Sequence, residues 1–269
     1  MLPMETKLTP PETVLSLEHI AVRFGGLLAI SDMTFSVREH EVVSLIGPNG
    51  AGKTTAFNVI TGFVRPTEGR IVYRGRVLNG MKPHEVADLG LVRTFQKTSL
   101  FDRNTAFDNV LIGLHRRGKR KAWEILLALP RVAREEKMLS EEAERILDFV
   151  GLSRRAYELG GALPYGEQRL LEVAVALAAR PEFLLLDEPV SGMNPTETRN
   201  FMKMLDKIRE QGITILLVEH DMRMVMGVSD RVVVLNHGRI IAEGQPEEIQ
   251  RNPEVIEAYL GQGATRAAD

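Results

Sequence analysis

The chain has no cysteine among its 269 residues, which excludes disulfide staples and thiolate-bound metals. Long apolar runs are also missing. The longest, VAVALAA at residues 173–179, falls far short of the ~20 residues a membrane span needs. Neither sign of charge is in excess: 34 Lys and Arg face 36 Asp and Glu, for a net charge of −2. That balance argues against nucleic acid as the main partner. The first residues, MLPMETKLTPPETV, hold no basic segment followed by an apolar one, so no signal peptide is expected. Internal repeats and low-complexity tracts are absent too. What remains is a chain with 44% hydrophobic residues, enough to bury a sizeable core, expected in the cytosol.

Residues 1–13 read as a loose tail and residues 263–269 as another, with one domain over 14–262. VLSLEHIAVRF and AISDMTFSVREHEVVSLIG are rich in β-branched residues and read as strands. TTAFNVITGF reads as a helix, PTEG as a turn, RIVYRGRVL as one further strand and LVRTFQ as another. From about 98 to 165 strand signals vanish. AWEILLALP and SEEAERILDFVGL repeat at the helical period, with Ser140 as the expected N-cap of the second. Beyond it, helices alternate with the strands FLLLD, ITILLV and RVVVL, which implies a parallel core sheet. NPTE has the pattern of a helix start, Gly212 of a helix end, and NHG (236–238) of a hairpin turn. Pro246 and Pro253 each open a short C-terminal helix. The dense basic run HRRGKRK, residues 115–121, reads as a solvated loop tip, with contact to lipid headgroups as the weaker alternative. The expected fold is α/β: a P-loop NTPase core with a parallel sheet, an N-terminal antiparallel β subdomain and an inserted α-helical subdomain.

The first chemical signal is EVVSLIGPNGAGKTT. An apolar strand leads into G-x-x-x-x-G-K-[ST], Gly47 to Thr54, and then into helix-forming sequence. Gly47, Gly50 and Gly52 let backbone N–H groups turn toward a phosphate with no Cβ in the way. The following helix adds its dipole, Lys53 a point charge, and Thr54 a hydroxyl suited to Mg²⁺.

The second signal is FLLLDEP. A buried strand does not need two adjacent acids at its end for packing. Neighbours on a strand point opposite ways, so Asp187 and Glu188 should differ in role. Asp187 suits Mg²⁺, directly or through water, and Glu188 the activation of an attacking water. His220, after ILLV, ends a core strand at the edge where open α/β sheets bind ligands, and reads as a γ-phosphate sensor. Gln96 ends LVRTFQ in the same way; it suits Mg²⁺ or water, or merely starts a loop. LPYGEQRLLEVAVAL (163–177) reads as a helix with Pro164 in its first turn, yet no Ser, Thr, Asp or Asn caps it.

In order along the chain, these motifs resemble the nucleotide-binding subunits of ABC transporters, from about Leu15 to Gly261. Phe24 in VRFGG matches the aromatic that stacks on adenine. The residues Gly47, Pro48, Asn49, Gly50, Ala51, Gly52, Lys53, Thr54 and Thr55 match Walker A, and Gln96 the Q-loop. LPYGEQR matches the signature LSGGQ followed by Gln-Arg, LLLDEP matches Walker B, SGMNP the D-loop, and His220 the switch histidine. The resemblance implies ATP and Mg²⁺ as cofactors, with Thr54, Gln96 and Asp187 toward the metal and Glu188, His220 and Gln96 in catalysis. It also implies a head-to-tail dimer in which each ATP lies between one subunit's Walker A and the other's signature helix. Tyr165, Gly166, Glu167 and Asn194 would then face the partner's nucleotide, and the uncapped helix start would receive a phosphate.

The chain departs from the family pattern at four places. Pro164 replaces the signature serine, Tyr165 the first glycine, Glu167 the first glutamine and Asn194 the D-loop acid. Turnover is expected to survive, because Gly166 and the helix dipole remain. The sequence from Val218 to Gly261, with LVRTFQKTSLF and the long helical insertion, resembles ATPases of branched-chain amino acid importers, in their longer type. The implied partners are membrane permease subunits, a second cassette of the same or a sister chain, and indirectly a substrate-binding protein, with the chain peripheral on the inner membrane face. An ATPase of a lipid or lipopolysaccharide exporter, a non-transport ABC ATPase and a non-catalytic nucleotide-gated scaffold stay open as alternatives.

Overall fold

A computed structural model describes residues 12–94, 100–115 and 130–265. Gln96, most of the basic run and most of AWEILLALP lie outside the described residues. Among those described, ten strands form one sheet in the order β5-β4-β1-β2-β10-β9-β3-β8-β7-β6. Its outer part is antiparallel: β1 (Thr13–Phe24), β2 (Leu27–Arg38), β4 (Glu68–Tyr73) and β5 (Arg76–Val77). Its inner part is the expected parallel core of β9 (Arg231–Asn236), β3 (Val42–Ile46), β8 (Thr214–Val218), β7 (Phe183–Asp187) and β6 (Leu91–Arg93). Strand β10 (Arg239–Gly244) runs antiparallel to β9 and meets β2 at a single parallel bridge, Arg239 to Asp32.

The core strands VVSLI, FLLLD and TILLV are buried at every position, as strands covered on both faces must be. Their two-residue period splits the core. Leu184 and Leu186 pack with the helical layer, while Phe183 and Leu185 pack on the opposite face, against Phe57 and Ile60. Those two belong to α1 (Lys53–Ile60), the helix that follows the glycine loop.

Helices α3 (Ala106–His115) and α4 (Pro130–Phe149) lie within the stretch read as the helical insertion, and α5 (Tyr165–Ala178) follows it. Ala106 and Val110 of α3, Ala143 and Leu147 of α4, and Leu171 and Ala174 of α5 share one apolar cluster with β7. Here one expectation fails. Ser140 does not cap a helix; it sits inside α4 and donates its Oγ hydrogen to the Glu136 carbonyl at 2.9 Å. The preceding AREEKML is good helix-forming sequence, so the helix runs through the serine, which bonds back one turn instead.

RIVYRGRVL also differs from its reading: it is a hairpin, not one strand. Arg74 and Gly75 both have positive φ (45° and 75°), which turns β4 into β5. The NHG turn has the same form, with His237 at 45° and Gly238 at 75°. Helix α6 (Pro195–Glu210) starts as expected. Asn194 Oδ1 accepts from the Thr196 and Glu197 N–H groups (2.9 and 3.0 Å), and Glu197 accepts from the Asn194 N–H at 2.8 Å. Gly212, at φ 81°, closes it. Helices α2 (Pro83–Asp88), α7 (Met222–Val228), α8 (Pro246–Arg251) and α9 (Pro253–Thr265) complete the described α-helices; Pro246 and Pro253 open α8 and α9 as expected.

Candidate nucleotide site

The glycine loop lies between β3 and α1, at the carboxyl ends of the parallel strands. Gly47 has φ 153°, and a Cβ there would overlap the Leu235 carbonyl of β9, so only glycine fits. Residues Asn49 to Thr55 line a cleft of about 530 Å³, together with Phe24, Leu27, Leu28, Ala29, Glu188 and His237. One end of this cleft is apolar. Phe24 and Leu27 face each other across the β1–β2 hairpin and both are exposed, which suits a flat heterocycle. The other end is a phosphate cradle of backbone N–H groups at a helix start. Gly52 caps α1 with no side-chain hydrogen bond.

Lys53 folds back in this structure. Its Nζ donates to the carbonyls of Gly47 (2.7 Å) and Pro48 (3.0 Å). Burial lowers the Lys53 pKa from the ordinary lysine value, against the opposing pull of the Glu188 and Asp187 charges. An anionic ligand at the loop would restore the preference for the ammonium.

The two acids at the end of β7 do part company. Glu188 turns into the cleft, its backbone held at φ 48°, with its N–H donated to the Val218 carbonyl at 2.8 Å. A positive φ in a residue with a side chain is uncommon and collects at functional sites. Asp187 turns the other way and is 2% exposed. Its Oδ2 takes a 2.7 Å hydrogen bond from Arg93 Nη2, and Arg93 Nη1 donates to Asn58 Oδ1 of α1 at 2.7 Å. The next residue, Thr94, accepts from the Asp187 N–H at 3.4 Å. The strand that leads to Gln96 thus grips Asp187 twice, a contact that the sequence reading missed.

His220 follows β8 with its ring largely exposed, and does not line the cleft. Nor do Tyr165, Gly166, Glu167 and Asn194. Gly166 and Glu167 line a separate depression, with Glu197 and Met193. Pro164 stands before α5 as its N-cap residue rather than in its first turn, and provides no side-chain cap. The Tyr165 ring lies against Gly192, where a Cβ would come within 2.8 Å of it, and its hydroxyl accepts from Arg169. The start of α5 is less bare than expected: a Cβ on Gly166 would stand 3.1–3.3 Å from the Glu197 carboxyl group. Asn194 uses its side-chain oxygen to cap α6. Leu27, Leu28, Ala29 and His237 are cleft residues that carry no motif of their own. Only pairing across the hairpins brings them to the glycine loop.

A glycine cradle for phosphates, an apolar wall and a strand-end acid in one cleft define an ATP-binding site of the P-loop type. Residues 30–191 match the family model described as ABC transporter. The chain belongs to the ATP-binding cassettes of the ABC transporter family, which are ATP hydrolases. Within that family, residues 239–265 match the model described as branched-chain amino acid ATP-binding cassette transporter. The chain is 45% identical over 250 residues to the branched-chain amino acid transport ATP-binding protein BraF of Pseudomonas aeruginosa, covering 93% of this chain and 98% of BraF. It is 44% identical over 252 residues to LivG of Salmonella typhimurium, covering 93% and 99%. Among solved structures, the ADP conformation of MJ1267, an ABC transporter cassette, superposes with a TM-score of 0.81 at 33% identity, covering 93% of this chain and 99% of that one.

Proposed function

We propose that the chain is the ATP-hydrolysing motor subunit of a membrane importer for branched-chain amino acids, working as a head-to-tail dimer on the cytoplasmic face. One observation carries the dimer. The phosphate cradle with Glu188 and the start of α5 with Gly166 belong to two separate depressions of one chain. A nucleotide in the first is open on the side that the second, from another copy, would close. The relatives' names carry the substrate class.

Thr54 and Asp187 offer the hard oxygen donors that Mg²⁺ prefers, with phosphate oxygens and water to complete its octahedron. Asp187 lies behind the cleft with Oδ2 held by Arg93, so it would support the ion through water. The bound ion would neutralise charge on the β- and γ-phosphates. Within the chain, Phe24 stacks on the adenine, Lys53 leaves its loop carbonyls for the phosphates, and Glu188 accepts the proton of the attacking water. His220 reaches the γ-phosphate from the end of β8, and Gln96 serves Mg²⁺ or the attacking water. Gly166 and the first turn of α5 present N–H groups to the partner's γ-phosphate. ATP binding closes the dimer, and hydrolysis reopens it. The inserted helices and Gln96 pass that motion to permease subunits, which receive cargo from a substrate-binding protein.

No described helix is long and apolar enough to cross a membrane, so translocation requires those partners. The test is reconstitution in vesicles with the permease, second-cassette and substrate-binding subunits of a branched-chain amino acid importer. ATP enclosed on the cassette side should drive uptake of radiolabelled leucine. ATP hydrolysis stimulated by a different cargo, with no leucine uptake, would remove the substrate assignment and leave the motor.

A further inference from the structure

Glu219 was absent from the sequence argument, and its side chain has no exposed surface. It follows β8 and precedes His220. Its Oε1 accepts from the Val190 N–H at 3.1 Å. Its Oε2 accepts from the N–H groups of His220 (2.8 Å) and Asp221 (3.2 Å), and His220 Nδ1 lies 3.7 Å from the same oxygen. A carboxylate so deeply buried is costly unless both oxygens are hydrogen-bonded, and here both are. An amide could not replace it. Whichever oxygen became NH₂ would face an N–H donor.

The segments it joins are both functional. Val190 is two residues past Glu188 in the loop 188–194, whose Gly192 lies against the Tyr165 ring of α5. His220 sits at the end of the neighbouring strand. We propose that Glu219 is a positioning residue that ties the Glu188 loop to the His220 strand end, so that base and γ-phosphate sensor hold one geometry. Through Gly192 and Tyr165, the same tie joins the nucleotide half of one composite site to the signature half of the other. This second part rests on the dimer proposed above; the first part does not. Free movement of one segment relative to the other by about 1 Å is enough to cost on the order of 10²-fold in rate.

The experiment compares wild type, Glu219→Gln and Glu219→Asp as full-length chains. Aspartate keeps the charge and the adjacent N–H acceptor but is one methylene too short to reach Val190. Affinity for a fluorescent ATP analogue, kcat, and the Hill coefficient for ATP are measured on each. In both variants kcat should fall about 10²-fold with analogue affinity within twofold of wild type, and the Hill coefficient should drop toward 1. A folded variant with wild-type kcat, or one that loses affinity and kcat in equal proportion, overturns the proposal. Should Glu219→Gln not fold, Glu219→Asp carries the same reading. A wild-type Hill coefficient of 1 with concentration-independent turnover would instead defeat the dimer, while the split between kcat and affinity still judges the positioning role.

Discussion

Glu188→Gln should hydrolyse ATP about 10²–10⁴ times more slowly than wild type, the usual contribution of a positioned general base. Glutamine keeps the length and shape of the side chain but cannot take a proton from water. Binding should survive, because the glycine loop and Lys53 are untouched. The variant is therefore expected to accumulate as an ATP-bound dimer, visible by size-exclusion chromatography with Mg²⁺ and ATP present. The unusual backbone of Glu188 sharpens the expectation. Its φ of 48° and the 2.8 Å bond from its N–H to Val218 aim the carboxylate at the cleft before ligand arrives. Wild-type turnover in this variant would take the base assignment away from Glu188.

Arg93→Met should be the most destabilising of the single changes considered, by about 3–5 kcal/mol, the cost of breaking a buried ion pair by removing one partner. Arg93 and Asp187 have side chains only 6% and 1% exposed, so solvent cannot replace the guanidinium. Methionine has nearly the right volume but leaves the Asp187 carboxylate buried without its cation and Asn58 without its donor. A melting temperature lowered by roughly 10 °C is expected for a domain of this size. Arg93→Lys should recover only part of the loss, since one ammonium cannot reproduce the fork that holds Asp187 and Asn58 together. A shift of a degree or two would mean that Asp187 finds another partner and that the pair does not fix its carboxylate.

The parts of the fold written in local pattern were legible in the sequence. Continuous apolar runs at VVSLI, FLLLD and TILLV marked strands buried on both faces, and Asn194-Pro195 with Glu197 marked a helix start whose capping bonds the structure contains. Glycine-loop spacing located the turn between β3 and α1, while the pair Asp187-Glu188 parts for a reason other than strand alternation: β7 ends at Asp187, and Glu188 lies beyond it at φ 48°. Errors arose where a local signal met a stronger competitor. Ser140 resembled a cap, but the residues on both sides of it favour helix. RIVYRGRVL looked continuous because Arg74 is an unusual residue for a positive φ.

The contacts missed in the site were non-local. Arg93 and Asp187 are 94 positions apart, and Val190 and Glu219 are 29 apart; only strand order brings them together. A general signal did exist for Glu219. Like Asp187, it is an acid at the end of a buried strand, next to the more conspicuous His220.

If each ATP is closed by α5 of a second copy, hydrolysis needs two cassettes. Specific ATPase activity per chain, measured over a dilution series with the monomer fraction followed by sedimentation, tests it directly. The account predicts activity proportional to the dimer, falling toward zero as the chain dissociates. Constant activity per chain down to fully monomeric protein would contradict it.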